Sequence, residues 1–293
     1  MLKALITGIN GFTGHYMAEE LRLAGYSVVG LGNEAADNVF CCNLLDRARL
    51  IDLVAEIKPD IVVHLAGIAF VAHGDTDAIY RTNVVGTRNL LEAVSKSGCQ
   101  PRSVLLASSA NIYGNATVEP IDEATTASPA NDYAVSKLAM EYMARLWFDQ
   151  LPIILVRPFN YTGAGQSLNF LLPKIVDHFK RRAPVLELGN LDVVRDFSDV
   201  RSVVKRYRLL LESGLSGETF NICSGQGHSL LEVLQIMREL TNHHPEIRVN
   251  PNFVRANEVH RLVGSHTKLD NAIGAVPNIA LRDTLKWMLE SSV

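Results

Sequence analysis

From Lys3 to Val156 the chain alternates short apolar runs with longer stretches of helical spacing, and that alternation admits few folds. The runs are Lys3 to Thr7, Ser27 to Leu31, Ile61 to Leu65, Ser103 to Ala107 and Ile153 to Val156. They are apolar at consecutive rather than alternate positions, the pattern of strands covered on both faces. Between them lie the helical patterns His15 to Ala24, Leu50 to Ile57, Asn83 to Ser97 and Tyr133 to Asp149. Helices interposed between strands connect parallel neighbours, so the expected fold class is α/β, a doubly wound parallel sheet. Beyond Arg157 the residues Pro158, Gly163, Gly165, Pro173, Pro184 and Gly189 break the chain into shorter elements, with helical patterns at Ser229 to Thr241 and Leu281 to Leu289. These predict a smaller lobe packed on the carboxyl ends of the strands, without a flexible linker.

A chain of 293 residues, 47% hydrophobic, can bury a core of this kind. Its formal charge of −3 offers no basic stripe to a polyanion, so nucleic acid is not an expected partner. No apolar run approaches the ~18 residues of a membrane span. The amino terminus, MLKALITGING, enters a strand pattern without a basic and then apolar leader. No membrane partner and a cytoplasmic location are therefore expected. Cys41, Cys42, Cys99 and Cys223 lack metal-ligand spacing, and vicinal Cys41 and Cys42 are badly placed to pair. Reduced structural thiols and no metal site are the expectation.

The first stretch that carries chemistry is Thr7-Gly8-Ile9-Asn10-Gly11-Phe12-Thr13-Gly14, between the first strand and the first helix. Glycines there let the backbone turn tightly and approach a pyrophosphate, while the helix amino terminus presents free N–H groups. The second strand ends in Gly32-Asn33-Glu34, with neither an acid for a ribose diol nor an arginine for a 2′-phosphate at the usual place, so the choice between NADH and NADPH stays open. The second stretch is Tyr133-Ala-Val-Ser-Lys137, which puts a phenol and an ammonium one helical turn apart. In isolation such a pair can be a chance contact on a helix surface. Here Ser109, at the carboxyl end of a strand, supplies a third group, and an ammonium beside a phenol favours its ionisation. The three suit proton delivery to a carbonyl that a nicotinamide reduces.

Taken together, TGINGFTG, His64-Leu-Ala-Gly67, Asn83-Val-Val-Gly86-Thr87, SSANIYG (108–114) and YAVSK (133–137) resemble the extended short-chain dehydrogenase/reductase family, with a Rossmann sheet, over nearly the whole chain. The carboxyl-terminal half is similar to its nucleotide-sugar branch, in Arg157-Pro-Phe-Asn160, Gly163-Ala-Gly165-Gln166, Arg195-Asp-Phe-Ser-Asp199 and Phe220-Asn221-Ile-Cys-Ser-Gly225. The segment Arg255-Ala-Asn-Glu258-Val, followed by Gly264-Ser265-His-Thr-Lys268, resembles the members that act on GDP-sugars.

The resemblance implies a dinucleotide-binding domain over 1–160, to which the chain returns near 190–225, and a mainly nucleotide-sugar lobe over 161–293. It implies NADPH or NADH along Gly8, Gly11, Phe12, Thr13, Gly14, Asn43, Leu44, Leu65, Ala66, Gly67, Asn83, Tyr133 and Lys137. It implies catalysis by Ser109, Tyr133 and Lys137, and a GDP-sugar held by Ser109, Asn111, Asn160, Lys174, Arg195, Arg255 and Glu258. A guanidinium suits diphosphate oxygens, and a carboxylate suits the guanine N1–H and amino group. Arg195 could instead pair with Asp196 between lobes, and Arg255 with Glu258 along a helix. In the dehydratases of this branch the position of Asn111 is a glutamate that takes the C5 proton. An amide cannot serve as that base, which leaves hydride transfer, and the expected reaction is reduction of the C4 ketone of GDP-4-dehydro-6-deoxy-D-mannose to GDP-D-rhamnose. A dehydratase or 4-epimerase of the same fold and a non-catalytic nucleotide-binding protein are the other readings. The chain departs from the family at Asn43, where an aspartate usually meets adenine, at the apolar Ile68-Ala69-Phe70, and at Ala275, usually a tryptophan. A homodimer through the helices 78–97 and 133–149 is also implied, with Met140, Met143, Leu146 and Trp147 as its apolar surface.

Overall fold

The computed structural model describes residues 1–69, 75–253 and 259–291. Its first half contains β1 (Lys3–Thr7), α1 (Phe12–Leu23), β2 (Ser27–Gly32), β3 (Val39–Cys41), α2 (Arg47–Ile57), β4 (Ile61–His64), α3 (Thr76–Tyr80), α4 (Thr87–Lys96), β5 (Ser103–Ala107), α5 (Asp132–Arg145) and β6 (Ile153–Pro158). The second half contains β7 (Asn160–Thr162), α6 (Leu171–Lys180), β8 (Val185–Leu188), β9 (Val194–Asp199), α7 (Val200–Glu212), β10 (Glu218–Ile222), β11 (Gly227–Ser229), α8 (Leu230–Thr241), β12 (Glu246–Val249), β13 (Arg261–Leu262), α9 (Thr267–Ile273) and α10 (Leu281–Glu290).

Seven strands form one sheet in the order β10-β6-β5-β4-β1-β2-β3, and every pairing in it is parallel. The consecutive apolar residues are divided between two cores. Ala4, Ile6, Ile61, Val63, Leu105, Ile154 and Val156 face α1 and α7, meeting Met17, Leu21, Val203 and Tyr207. Leu5, Val62, Val104, Leu106, Ile153 and Leu155 face α2, α4 and α5, meeting Leu53, Leu90, Val94 and Met140. The period of two that points neighbouring side chains to opposite faces thus fills both sides of the sheet.

The order in which strands are laid down reverses at β1, which has β2 on one side and β4 on the other. A crevice opens at such a point because the connections leave to opposite faces. Two elements of the first half differ from the sequence expectation. The helix expected from Asn83 begins as a π-helical turn over Arg81–Gly86, which sets Asn83 inward. The helix expected to reach Asp149 stops at Arg145, and tight turns from Trp147 to Ala144 and from Phe148 to Arg145 carry the chain back toward β6.

In the second half β9 is the spine, pairing with β7, β11 and β13, while β8 pairs with β12. A separate core of Leu172, Ile175, Phe179, Val233, Leu234 and Leu285 joins α6, α8 and α10. β10 and α7 belong to the large sheet and its core rather than to this one. No helix among the described residues is long and apolar enough to cross a membrane.

At the end of β4, buried His64 ties the switch point together. The Thr87 hydroxyl donates to the Asn83 carbonyl at 2.7 Å and so accepts from His64 Nε2–H at 2.8 Å. Nδ1 is then the acceptor for the Thr7 hydroxyl at 2.6 Å, a tautomer assigned by the network. Burial, aided by the Lys137 charge, holds the imidazole pKa down to about 3, against an ordinary 6.5. The unfolded chain therefore binds a proton below pH 6.5 that the native state refuses, and stability falls as pH drops from 6.5 toward 3 by about 1.4 kcal/mol per unit from this group. Urea unfolding at pH 7, 6 and 5 should show that slope, and His64→Gln should flatten it. An unchanged slope in the variant would remove His64 from the acid response.

Candidate active site

The carboxyl ends of β1, β4, β5 and β6 and the amino ends of α1 and α5 surround a cavity of about 390 Å³. Gly8, Gly11, Phe12, Thr13 and Gly14 form one wall, Leu65 and Gly67 the floor, and Ser108, Ser109, Asn111, Tyr133 and Lys137 the opposite side. Gly8 adopts φ +74°, and a Cβ there would lie 2.7 Å from Ala66 N, so only glycine lets the turn close on the loop after β4. Its N–H donates to Leu31 O at 2.8 Å, and Gly11 N–H to Gly8 O at 3.0 Å. No side chain caps the start of α1, which leaves the N–H groups of its first turn directed at the cavity, a seat for a phosphate anion. The tight turn and the open helix end fit a dinucleotide.

Tyr133 stands in the first turn of α5, which Asn131 caps by accepting the Ala134 N–H at 2.9 Å. Burial pushes the Tyr133 phenol up to about 12, with a hydrogen bond to Ser109 acting against it. One turn on, burial brings Lys137 down to about 8, opposed by the Glu141 carboxylate. The Lys137 charge is not among the influences on the phenol, which are burial, Ser109 and Tyr161. The ammonium donates to Ala107 O at 2.8 Å, and desolvation governs Tyr133. At neutral pH the phenol keeps its proton and the lysine its charge, an acid poised beside a cation.

Ser109 caps a short 3-10 turn, Ala110–Tyr113, accepting the Asn111 N–H at 3.2 Å. That turn aims Asn111 at the same cavity. Asn83 is buried. It accepts Ile68 N–H at 2.9 Å and donates to Ser136 Oγ at 3.0 Å, so its amide clips the loop after β4 to α5. Ala66 belongs to the same loop, its N–H near Thr7 Oγ1 at 3.3 Å. Asn43 and Leu44 lie beyond β3, where Asn43 Oδ1 accepts Leu45 N–H at 2.9 Å and Leu44 is buried.

On the substrate side Asn160 lines the cavity with Phe159, Gln166, Ser167 and Phe170. Lys174 does not line it. Its ammonium lies 4.0 Å from the centroid of the Phe253 ring. Arg195 also sits off the lining, donating to Val194 O at 3.0 Å and His260 O at 3.2 Å. Asp196 binds Ser224 and Gly225 through N–H contacts of 2.8 Å, which joins β9 to the turn after β10. Arg255 and Glu258 lie outside the described residues. Tyr161 was not anticipated. Its hydroxyl meets Thr13 Oγ1 at 2.8 Å and its ring stacks on Phe12, which spans the cavity from the glycine turn to β7. Nothing in its strand pattern signals that bridge, which exists only once β7 is placed.

A parallel sheet with this order, a glycine turn at its switch point and a Ser, Tyr and Lys set at its rim defines a nicotinamide-dependent oxidoreductase or epimerase site. The chain belongs to the NAD dependent epimerase/dehydratase family, whose sequence pattern matches residues 4–223. It is 35% identical over 276 residues to GDP-6-deoxy-D-talose 4-dehydrogenase of Aggregatibacter actinomycetemcomitans, covering 93% of this chain and 92% of that one. It is 32% identical over 300 residues to GDP-6-deoxy-D-mannose reductase of Pseudomonas aeruginosa, covering 98% and 96%. The structure of RMD from Pseudomonas aeruginosa complexed with NADPH superposes with a TM-score of 0.87 over 99% of this chain and 98% of that one, at 32% identity. A nicotinamide dinucleotide, NAD or NADP, is the cofactor.

The depressed Lys137 pKa gives a test that needs no substrate. Lysine-selective nitrogen NMR should show one Nζ titrating near pH 8 rather than 10.5, and Lys137→Met should delete it. Titration of every lysine above pH 10 would contradict the desolvated position.

Proposed function

We propose that the protein reduces the C4 ketone of GDP-4-dehydro-6-deoxy-D-mannose, giving GDP-D-rhamnose. The observation that carries the reading is that Ser109, Tyr133 and Lys137 share one cavity with Asn111, an amide where a base for elimination would stand. A bound reduced nicotinamide supplies the hydride. Tyr133 gives its proton to the ketone oxygen as that oxygen gains charge, and the Ser109 hydroxyl holds the same oxygen. Lys137, charged below pH 8, orients the nicotinamide ribose and favours the phenolate left after transfer. Asn111 can hydrogen-bond a sugar hydroxyl and takes no proton. Asn160 borders the sugar, and the diphosphate and guanosine extend toward the lobe of residues 161–293, where Arg195, Lys174, Arg255 and Glu258 are the proposed contacts.

The relative named a talose 4-dehydrogenase favours a second reading. GDP-6-deoxy-D-talose is the C4 epimer of GDP-D-rhamnose, so the same residues would serve with hydride reaching the other face of the ketone. Incubation with the ketone and each reduced cofactor, with the C4 configuration of the product read by proton coupling constants, separates the two. The manno configuration is the expected result, and the talo product would replace the first reading by the second. Absence of cofactor oxidation would overturn both.

Asn111 makes a further demand. In heavy water the protein should incorporate no deuterium at C5 of the sugar, and it should release no 4-dehydro-6-deoxy product from GDP-mannose and NAD. Deuterium at C5 would mean that another residue acts as base.

A homodimer is proposed for the α5 face, with Leu146 alone of the four residues expected from sequence at its surface. Met140 is buried in the core, and Met143 and Trp147 pack against it. The exposed apolar positions are Val135 and Tyr142 on α5 and Leu146 just after it, one stripe, with Val85 nearby on the adjoining π-turn. Sedimentation at micromolar concentration should give a dimer, and Leu146→Glu should shift it toward monomer. A wild-type monomer under those conditions would refute the assignment.

A further inference from the structure

The carboxyl end of β2 carries information about the cofactor that the motifs leave open. In a sheet of this order the adenosine ribose lies at that end, where a side-chain carboxylate usually accepts from the 2′-hydroxyl or an arginine meets a 2′-phosphate. The residue there is Gly32, which has no side chain to offer. An ideal Cβ on Gly32 would lie 1.6 Å from Asn10 Oδ1. The amide of Asn10, from the glycine turn, therefore stands where a side chain at position 32 would begin. Asn10 is exposed, and no hydrogen bond engages its amide among the described residues. The end of β2 thus presents an amide, delivered from the neighbouring turn rather than from the strand.

The segment that leaves Gly32 offers no cation to a phosphate dianion. From Gly32 to Asn43 the chain contains Glu34 and Asp37 and neither lysine nor arginine. Both acids are exposed. The first cation beyond, Arg47, is bound through Nε to Glu92 at 2.5 Å, and the same carboxylate also takes Lys96 at 2.7 Å. Arg49 follows in the first turn of α2, beside the capping carboxylate of Asp46, which accepts its N–H at 3.1 Å. A 2′-phosphate here would face the Asn10 amide and a segment whose charged side chains up to Asn43 are both acids, whereas a 2′-hydroxyl would find an acceptor in Asn10. The geometry points to Asn10, seated in the space that Gly32 leaves, as the group that receives the adenosine ribose 2′-hydroxyl, and to NADH over NADPH as the preferred cofactor. The Pseudomonas aeruginosa structure is a complex with NADPH, so the preference is a property of Asn10, Gly32, Glu34 and Asp37 in this chain. It rests on the dinucleotide site and not on the identity of the sugar.

Titration of the purified protein with NADH and with NADPH, in the absence of any sugar, tests this directly. Energy transfer from tryptophan to the nicotinamide and calorimetry both report binding without turnover. NADH should bind at least ~10-fold more tightly than NADPH, and Asn10→Ala should weaken NADH about tenfold while NADPH moves less than about twofold. Glu34→Arg should strengthen NADPH by about tenfold, since a guanidinium replaces an acid. Thermal melting checks that each variant is folded, and both positions are exposed. Equal or tighter binding of NADPH by the wild-type protein would overturn the inference, as would unchanged NADH affinity in folded Asn10→Ala or failure of both cofactors to bind. A preference for NADPH would leave the proposed ketone reduction standing, and failure of ketone reduction would leave the cofactor result standing.

Discussion

The ion pair between Arg157 and Glu141 fixes the element on which the site depends. Arg157 lies near the end of β6 and Glu141 on α5, and the guanidinium binds the carboxylate twice, Nε to Oε1 at 2.9 Å and Nη2 to Oε2 at 2.7 Å. Both residues are buried, and Arg157 also donates to the Tyr113 hydroxyl at 2.9 Å. Tyr113 continues to Asn221 on β10 at 2.7 Å. Removing one partner of such a buried pair costs about 3–5 kcal/mol because the other is left charged in a dry interior. The pair fixes the rotation of α5, and with it the direction of Lys137 and Tyr133, one and two turns before Glu141. The 3-10 turn from Ser109 to Tyr113 is fastened to the same guanidinium at its far end, so both sides of the reacting position refer to one anchor.

Dry surroundings set the chemistry as well as the geometry. Desolvation raises the phenol and lowers the ammonium, so neutral solution leaves a proton donor and a cation side by side. That state suits a reaction in which negative charge grows on a ketone oxygen, since the site is ordered before the charge appears. The neutral His64 lies on the same side of the balance. A second cation beneath Lys137 would repel it, and burial keeps the imidazole uncharged.

Much of the fold was legible because its signals are local. Consecutive apolar residues from Ile61 to Val63 and from Val104 to Leu106 fit strands with two covered faces, and Gly8 announces a turn that side chains forbid. The ends of helices were less legible: the π-turn at Arg81–Gly86 and the stop at Arg145 depend on what packs against them. At the site, Ser109, Tyr133 and Lys137 could be named from spacing, but the state of the phenol could not, because burial and the turn of Lys137 toward Ala107 O are tertiary facts. Met140 read as surface for a partner and proved to be core, since helical spacing alone does not say which stripe faces the sheet. Tyr161 and Asn10 were silent for a related reason. Each acts across a gap, on Thr13 or at Gly32, that sequence distance conceals.

The central claim is that α5, fixed by Arg157 and Glu141, presents Tyr133 as the acid for hydride transfer to a bound ketone. Turnover and GDP-sugar affinity of Tyr133→Phe, compared with wild type, test it most directly. Loss of a positioned acid should lower turnover by at least ~10² while affinity stays within a few-fold. Turnover within a few-fold of wild type, in a variant that still binds the GDP-sugar, would contradict the account.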